Sequence, residues 1–278
     1  MDITAASSFF DDDPVYDAYT GDLLFYCHTT AHDDHTSSGA TARRRTMSTE
    51  PSTTPPARRV ITLHGEQWVV GINNPDSFAG TVVRRSYGLK KSTGVLAALS
   101  PAAACLGQEG PEFHAQREYF RDTQDARTSS DWDLMWNVFC PFNEPVAKGC
   151  FLRQGSSLMR VRNVYPSVDE FLIAEADQLD ADASQMITFV STRRDLVTEA
   201  PISVSIPTQA IQTDVMKYYE FRTLGESRLQ PGDRTVFVAK SAYTPKVGAE
   251  FMMQGAKWRA LAVVSEQDAW ALHARLAS

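Results

Sequence analysis

The chain has 278 residues, 43% of them hydrophobic and 22% charged, enough apolar material to fold rather than stay disordered. Lys and Arg total 27 against 34 Asp and Glu, and the net charge of −7 argues against a dedicated binder of nucleic acid or anionic membrane. The opening MDITAASSFFDDDP lacks the basic start and apolar run of a signal peptide, and no stretch reaches the roughly 18 apolar residues of a membrane-spanning helix. The expectation is a chain made soluble in a cytoplasm.

In chain order, a polar arm (1–14) precedes a first β unit, 15–90. Its predicted strands are Leu23–Tyr26, Arg59–Leu63, Trp68–Ile72 and Thr81–Arg85. The Ser-, Thr- and Pro-rich insert 27–58 reads as a mobile loop. Residues 91–112 read as a linker, with a short helix broken near Pro101. A second unit (113–183) opens on a predicted helical turn, Glu112–Tyr119. Its strand signals are Leu134–Phe139, Cys150–Arg153, Leu158–Val164 and Glu170–Ala174. The third unit, 184–278, adds Met186–Ser191, Ile202–Ile206, Thr235–Lys240, Ala249–Met253 and Trp258–Val264. Its last segment, Ala269–Leu276, has a helix-capping sequence before it. Strict alternation puts Trp270, Leu272, Ala274 and Leu276 on one face and decides for strand.

Three stretches share a pattern: TLHGEQWVVG (62–71), LRQGSSLMRV (152–161) and MMQGAKWRAL (252–261). Each reads as a β-hairpin with Gly65, Gly155 or Gly255 at the turn and Trp68, Leu158 or Trp258 re-entering the core. An acidic residue two before an aromatic then marks a later turn: Asp76 and Phe78, Asp169 and Phe171, Asp268 and Trp270. At an offset of 100, Tyr119/Tyr219, Thr123/Thr223, Asp133/Asp233, Val138/Val238, Pro145/Pro245, Phe151/Phe251, Gln154/Gln254 and Gly155/Gly255 are identical. The fold expectation is all-β: small barrel or hairpin units in tandem, joined by short helical linkers.

Chemistry is sparse. Cys27, His28, His32, Asp33, Asp34 and His35 carry metal-donor groups but match no ligand spacing. Asp11, Asp12 and Asp13 lack the pattern of a calcium loop and read as an exposed acidic arm. His64 matches Gln154 and Gln254 and reads as a turn residue. Arg43, Arg44 and Arg45 with Arg58 and Arg59 form a basic patch, read chiefly as a solvated loop. No nucleotide-binding, HExxH or GxSxG motif occurs. The expectation is no enzyme, no catalytic residue, no cofactor and no metal. Trp68, Trp136 and Trp258 are assigned to barrel filling. The cysteines Cys27, Cys105, Cys140 and Cys150 form no CxxC pair and are expected reduced, Cys140 and Cys150 being the two that a turn brings near each other.

The third unit, with Gly232 and Asp233 before a strand, Pro245 and Gly248 before the next, Gly255 and Trp258 at a hairpin and Trp270 in a closing strand, resembles the small β-barrel stopper, or head-closure, proteins of tailed-bacteriophage necks. The second unit repeats the pattern with Leu158 in place of Trp. The resemblance covers roughly the last half of the chain, and typical members carry one such unit. It implies a virion structural protein forming a homo-oligomeric ring between the portal or adaptor and the tail. DNA would pass through the lumen without sequence-specific binding, repelled by an acidic wall. The alternatives are a tail terminator, a baseplate or tail-hub protein and, further off, a metal-dependent enzyme or ligand-binding β module.

Overall fold

The structure, a computed structural model, describes residues 13–35, 41–120, 135–167, 171–194, 201–214 and 229–277. Residues 1–12 of the arm, Trp132, Asp133, Asp169 and the pair Thr123/Thr223 lie outside them, as does Tyr219. The chain is 65% strand and 2% helix and forms three closed, six-stranded antiparallel barrels in tandem, as the all-β repeat reading expected.

The first barrel contains β1 (Asp13–Asp17), β2 (Leu23–His35), β3 (Thr41–Thr49), β4 (Val60–Leu63), β5 (Glu66–Phe78) and β6 (Thr81–Lys91). The second contains β7 (Gly94–Leu99), β8 (Glu112–Phe120), β9 (Met135–Cys140), β10 (Phe151–Gln154), β11 (Ser157–Pro166) and β12 (Leu172–Gln178), with α1 (Pro101–Cys105) between its first two strands. The third contains β13 (Ser184–Arg194), β14 (Pro201–Asp214), β15 (Arg234–Ala239), β16 (Glu250–Met253), β17 (Ala256–Glu266) and β18 (Ala269–Leu276). Strand order is the same in all three: first, second, third, sixth, fifth, fourth, closing back on the first. Closure removes the exposed edges of an open sheet.

Several expectations are corrected. The insert 27–58 is largely a hairpin: β2 and β3 pair from His28↔Ser48 to His35↔Thr41. A barrel strand needs only one apolar face, and here Cys27 and Met47 supply it while the other face stays polar. Glu112–Tyr119 is strand, not helix, because Phe113 and Ala115, both fully buried, alternate with polar residues at a period of two. The apolar run before Pro101 is a strand of the second barrel, and the helix starts at Pro101 with Ser100 accepting a hydrogen bond from the Ala103 N–H at 3.2 Å. Asp76 and Phe78 sit inside β5, and the turn follows at Ala79 and Gly80, both at positive φ.

The matched hairpins differ in register. In the first and third barrels the two turn residues are His64-Gly65 and Gln254-Gly255, all four with φ of 52–76°. That is a type I′ turn with glycine second. In the second barrel Gln154 pairs with Ser157, so the turn is Gly155-Ser156, with glycine first. Counted from the turn, Trp68 and Trp258 therefore match Met159, not Leu158. Ile61 and Phe251 match Leu152, not Phe151. Met159 and Leu152 are fully buried, whereas Leu158 is half-buried on the outer face. The offset is 100 at Val138/Val238 but 99 at Gly149/Gly248, whose φ values are 87° and 86°. One residue has been gained between Pro145 and Gly149, and a one-residue slip exchanges inside for outside.

By packing, the chain divides into two compact units. One takes Met1–Leu96, Glu112–Lys148 and Val161–Ala176; the other takes Ala97–Pro111, Gly149–Arg160 and Asp177–Ser278. The core of the first unit lies inside the first barrel, on Val15, Cys27, Met47, Ile61, Leu63, Trp68, Val70, Tyr87 and Leu89. In the second unit Ile187, Phe189, Val236, Val238, Phe251, Trp258 and Leu272 fill the third barrel. Trp258 is 9% exposed and donates its indole N–H to the Met253 carbonyl at 3.2 Å, as its barrel-filling assignment expected.

Candidate functional site

The metal-donor cluster is divided by the strand that carries it. Alternation along β2 sends Cys27 into the first barrel and His28 to the exposed outer face. Burial, helped by Asp13, pushes the Cys27 thiol up to about 12, so it does not present a thiolate. His32, Asp33, Asp34 and His35 fall on β2, where their side chains lie outside the description. Among the described residues no group of three or more His, Cys, Asp or Glu is placed to hold a metal. Asp13 belongs to β1 and ties two neighbours: Thr29 donates to it at 2.6 Å and His64 Nε2 lies 3.1 Å away. All four cysteines are free thiols and buried.

The basic patch is also dispersed into structural contacts. Arg58 stacks on Tyr19 at 3.9 Å and donates to the Glu112 carbonyl, while Arg59 donates to the Gly71 carbonyl at 2.9 Å. Arg45 covers the Trp68 ring at 5.1 Å. The side chains of Arg43 and Arg44 lie outside the description.

What the fold does bring together are two seams where barrels dock, one in each compact unit. In the first unit Val69 of β5 packs with Phe139, Phe171 and Ile173. Lys90 of β6, 9% exposed, pairs with Glu118 of β8 at 3.1 Å and lies 3.7 Å from the Phe139 ring centre. In the second unit Phe151 of β10 meets Phe237 of β15 edge-on at 5.5 Å, beside Leu99, α1, Ile211, Ala239 and Ala271. Arg160 of β11 pairs with Glu266 and lies 4.7 Å from the Phe237 ring centre. The two seams share a chemistry: an apolar patch, and a buried cation held between a carboxylate and an aromatic face.

They also share positions. Counted from the turn, Val60 and Val69 match Phe151 and Arg160 on the outer face of the fourth and fifth strands. The opposing apolar side chains include residues of the third and sixth strands in each case, Phe139 and Ile173 or Phe237 and Ala271, whereas the ion pairs differ in place: Lys90 is on a sixth strand and Arg160 on a fifth. The corresponding outer positions of the third barrel are Glu250 and Arg259. There Glu250 binds Lys257 at 2.6 Å and Arg259 at 2.9 Å, and those two hydrogen bonds hold its carboxyl below the usual range. At these positions the third barrel thus carries a self-neutralised set of charges in place of an apolar patch.

Gly232 and Asp233 have a further role. Gly232, at φ 90°, turns the chain so that Asp233 enters a buried network ahead of β15. Arg275 donates to both carboxylate oxygens at 2.8 Å, His273 Nε2 lies 2.7 Å away, and the Gln230 N–H donates at 2.9 Å. Burial would raise the Asp233 carboxyl, but the hydrogen bonds from Arg275 and His273 outweigh it and hold it below its ordinary value. A carboxylate saturated in this way ties the third strand to the sixth.

The first barrel presents a different surface. Tyr16, Leu24 and Tyr26 are 38%, 37% and 47% exposed on its first two strands, opposite the inward-facing Val15, Phe25 and Cys27. Sequence reasoning missed the seam residues. The signal available was a lone cation in an apolar strand, Arg160 in LMRV and Lys90 after YGL, which is costly to bury without a partner. No family model, no curated protein and no solved structure matches this chain.

Proposed function

We propose that this chain is a virion structural protein of the head–tail connector type, one subunit of a closed ring around the DNA channel of a tailed bacteriophage. The observation that carries the reading is the way its barrels dock. In each seam the fifth strand of one barrel (Val69 or Arg160) packs against the third strand of the next (Phe139 or Phe237), so the faces that meet are unlike. Contacts between unlike faces, repeated between copies, run head to tail and form a ring when the rotation per copy closes. The likeness of residues 232–278 to neck proteins suggests where such a ring sits, with portal or adaptor proteins above and tail proteins below. The net charge of −7 suits a lumen through which DNA slides without sequence-specific binding. Exposed Tyr16, Leu24 and Tyr26 offer apolar contact to a neighbouring subunit.

The test is reconstruction of intact particles with the chain located in the density. The expected result is a ring on the channel axis between portal and tail. Density on the capsid face or on fibres, or an isolated monomer off the axis, overturns the reading.

A further inference from the structure

The ion pair in the seam of the second unit has a second copy of each of its halves. Its cation, Arg160, is on the fifth strand of the second barrel, and its carboxylate, Glu266, is on the fifth strand of the third. Counted from the hairpin turn, Arg160 corresponds to Arg259. The counterpart of Glu266 lies in the first barrel. There the fifth and sixth strands carry the same bulge as in the third: Gly71-Ile72 opposite Gly88 in one, Leu261-Ala262 opposite His273 in the other. Past the bulge, Asp76 is eight residues beyond Trp68, and Glu266 is eight beyond Trp258. Asp76 faces outward beside Arg84, as Glu266 does beside Ala269.

Among the described residues each of these counterparts is held on its own barrel. Arg259, with 56% of its side chain exposed, binds Glu250. Asp76, with 44% exposed, binds Arg84 and accepts from Ser86. Their surroundings correspond as well. Val190 matches Leu99, since each lies opposite the outer residue of a fourth strand, Glu250 or Phe151. Leu99 is 2% exposed in its seam, whereas Val190 is 41% exposed. On the first barrel the cross-strand row His28, Ser48 and Ser86 matches Ile211, Phe237 and Ala271, the row that receives the second barrel. Tyr26, 47% exposed, borders that row on β2.

Charge distinguishes the two faces. Glu250 is shared by Lys257 and Arg259, which leaves a cation in excess on the third barrel. Asp76, with the exposed Glu50 at the position of Ala239, outnumbers Arg84 on the first.

We propose that the outer face of the third barrel around Arg259 docks on the outer face of the first barrel around Asp76 of a second copy of this chain. The contact repeats the seam between the second and third barrels, with Arg259 and Asp76 in the places of Arg160 and Glu266. Glu250 keeps Lys257 when Arg259 turns to the second copy. Small and charged residues stand where the inner seam has aromatic ones, because these faces meet water until copies assemble, while the inner seam is closed once the chain has folded. The proposal rests on the reading above that copies join through unlike faces, and it names the faces.

The test is sedimentation of the full chain over a dilution series. The wild type should associate as concentration rises, and less so as salt is raised. Arg259→Asp and Asp76→Arg, each alone, should weaken association about tenfold or more. Mixed with each other, the two variants should associate again. The new carboxylate then meets the new guanidinium, and the untouched Arg259 of one variant meets the untouched Asp76 of the other. Arg259→Gln and Asp76→Asn, which remove charge without reversing it, serve if a reversal does not fold. Recovery on mixing supports the pairing, since a merely structural defect would persist in the mixture. A mixture that stays dissociated, or single variants that associate as the wild type does, overturns it. A wild type that stays monomeric at every concentration overturns a second copy as the occupant. An assembly that survives both reversals overturns these faces and leaves the ring itself to be decided by particle reconstruction.

Discussion

The fourth and fifth strands of the second barrel and of the third look like copies, since both run through Gln-Gly and a large apolar residue. Their turns differ by one residue: Gly155-Ser156 in one, Gln254-Gly255 in the other. The residues that look equivalent therefore point in opposite directions. Phe251 and Trp258 fill a barrel, while Phe151 and Leu158 face outward into the cluster around Phe237. In a strand, identity at a fixed offset carries meaning only if the register is kept, because every residue has the opposite role from its neighbour. True equivalence puts Arg160 opposite Arg259, the first pairing with Glu266 in a seam, the second with Glu250 in solvent.

The largest expected effects test that inversion directly. Trp258→Ala should cost ~3–5 kcal/mol and Met159→Ala ~2–5 kcal/mol, both being interior truncations. Leu158→Ala, on the half-buried outer face, should cost less than Met159→Ala. Denaturant titration measures all three, and a larger loss for Leu158 than for Met159 would restore the offset of 100. The two arginines give a second contrast of similar size. Arg160→Ala leaves Glu266 buried without its cation and should cost about 3–5 kcal/mol. Arg259, with 56% of its side chain exposed, should cost under ~1 kcal/mol. Equal losses would mean that the seam pair has no more weight than a surface pair.

Asp233 adds a dependence on pH that the third barrel should show. Its folded-state pKa is lowered, so its contribution is present above the unfolded value of ~3.9 and is lost as pH falls through the folded one. Thermal melts of the wild type and Asp233→Asn should differ at pH 7 and converge as the medium is acidified below ~4. A constant difference across that range would remove the carboxylate from the account.

How much of this could be read from the sequence depends on the kind of residue. The hairpins around Gly65, Gly155 and Gly255 were legible because a tight turn needs positive φ, which glycine supplies without strain. The strand nature of Ala269–Leu276 was legible from alternation, and the structure confirms it. β3, TARRRTMST, was not, because one buried methionine among Thr and Arg looks like a loop until its partners close the barrel. β8, read as a helical turn over Glu112–Tyr119, was not, because its Glu, Ala, Gln and Arg favour helix and tertiary pairing overrides that preference. The slip in the second hairpin had a trace, three residues from Pro245 to Gly248 against four from Pro145 to Gly149. The two seams had almost none, because docking partners lie far apart along the chain.

The smallest effect separates the two turn types. Gln254 sits at φ 52°, the left-handed region where a side chain other than Gly, Asn or Asp is strained by about 1–2 kcal/mol. Gln254→Asn keeps a side chain but tolerates that conformation, and Asn-Gly is the favoured type I′ pair. It should therefore stabilise the third barrel by roughly 0.5–1 kcal/mol, part of the left-handed cost. Asn at Gln154, the residue that looks equivalent, should give no gain, because Gln154 is the last paired residue of β10 and does not have positive φ. The melting temperature of each single variant reads the difference. A gain at Gln154 equal to that at Gln254 would mean that both hairpins share one turn, and the inversion of their faces would have no basis.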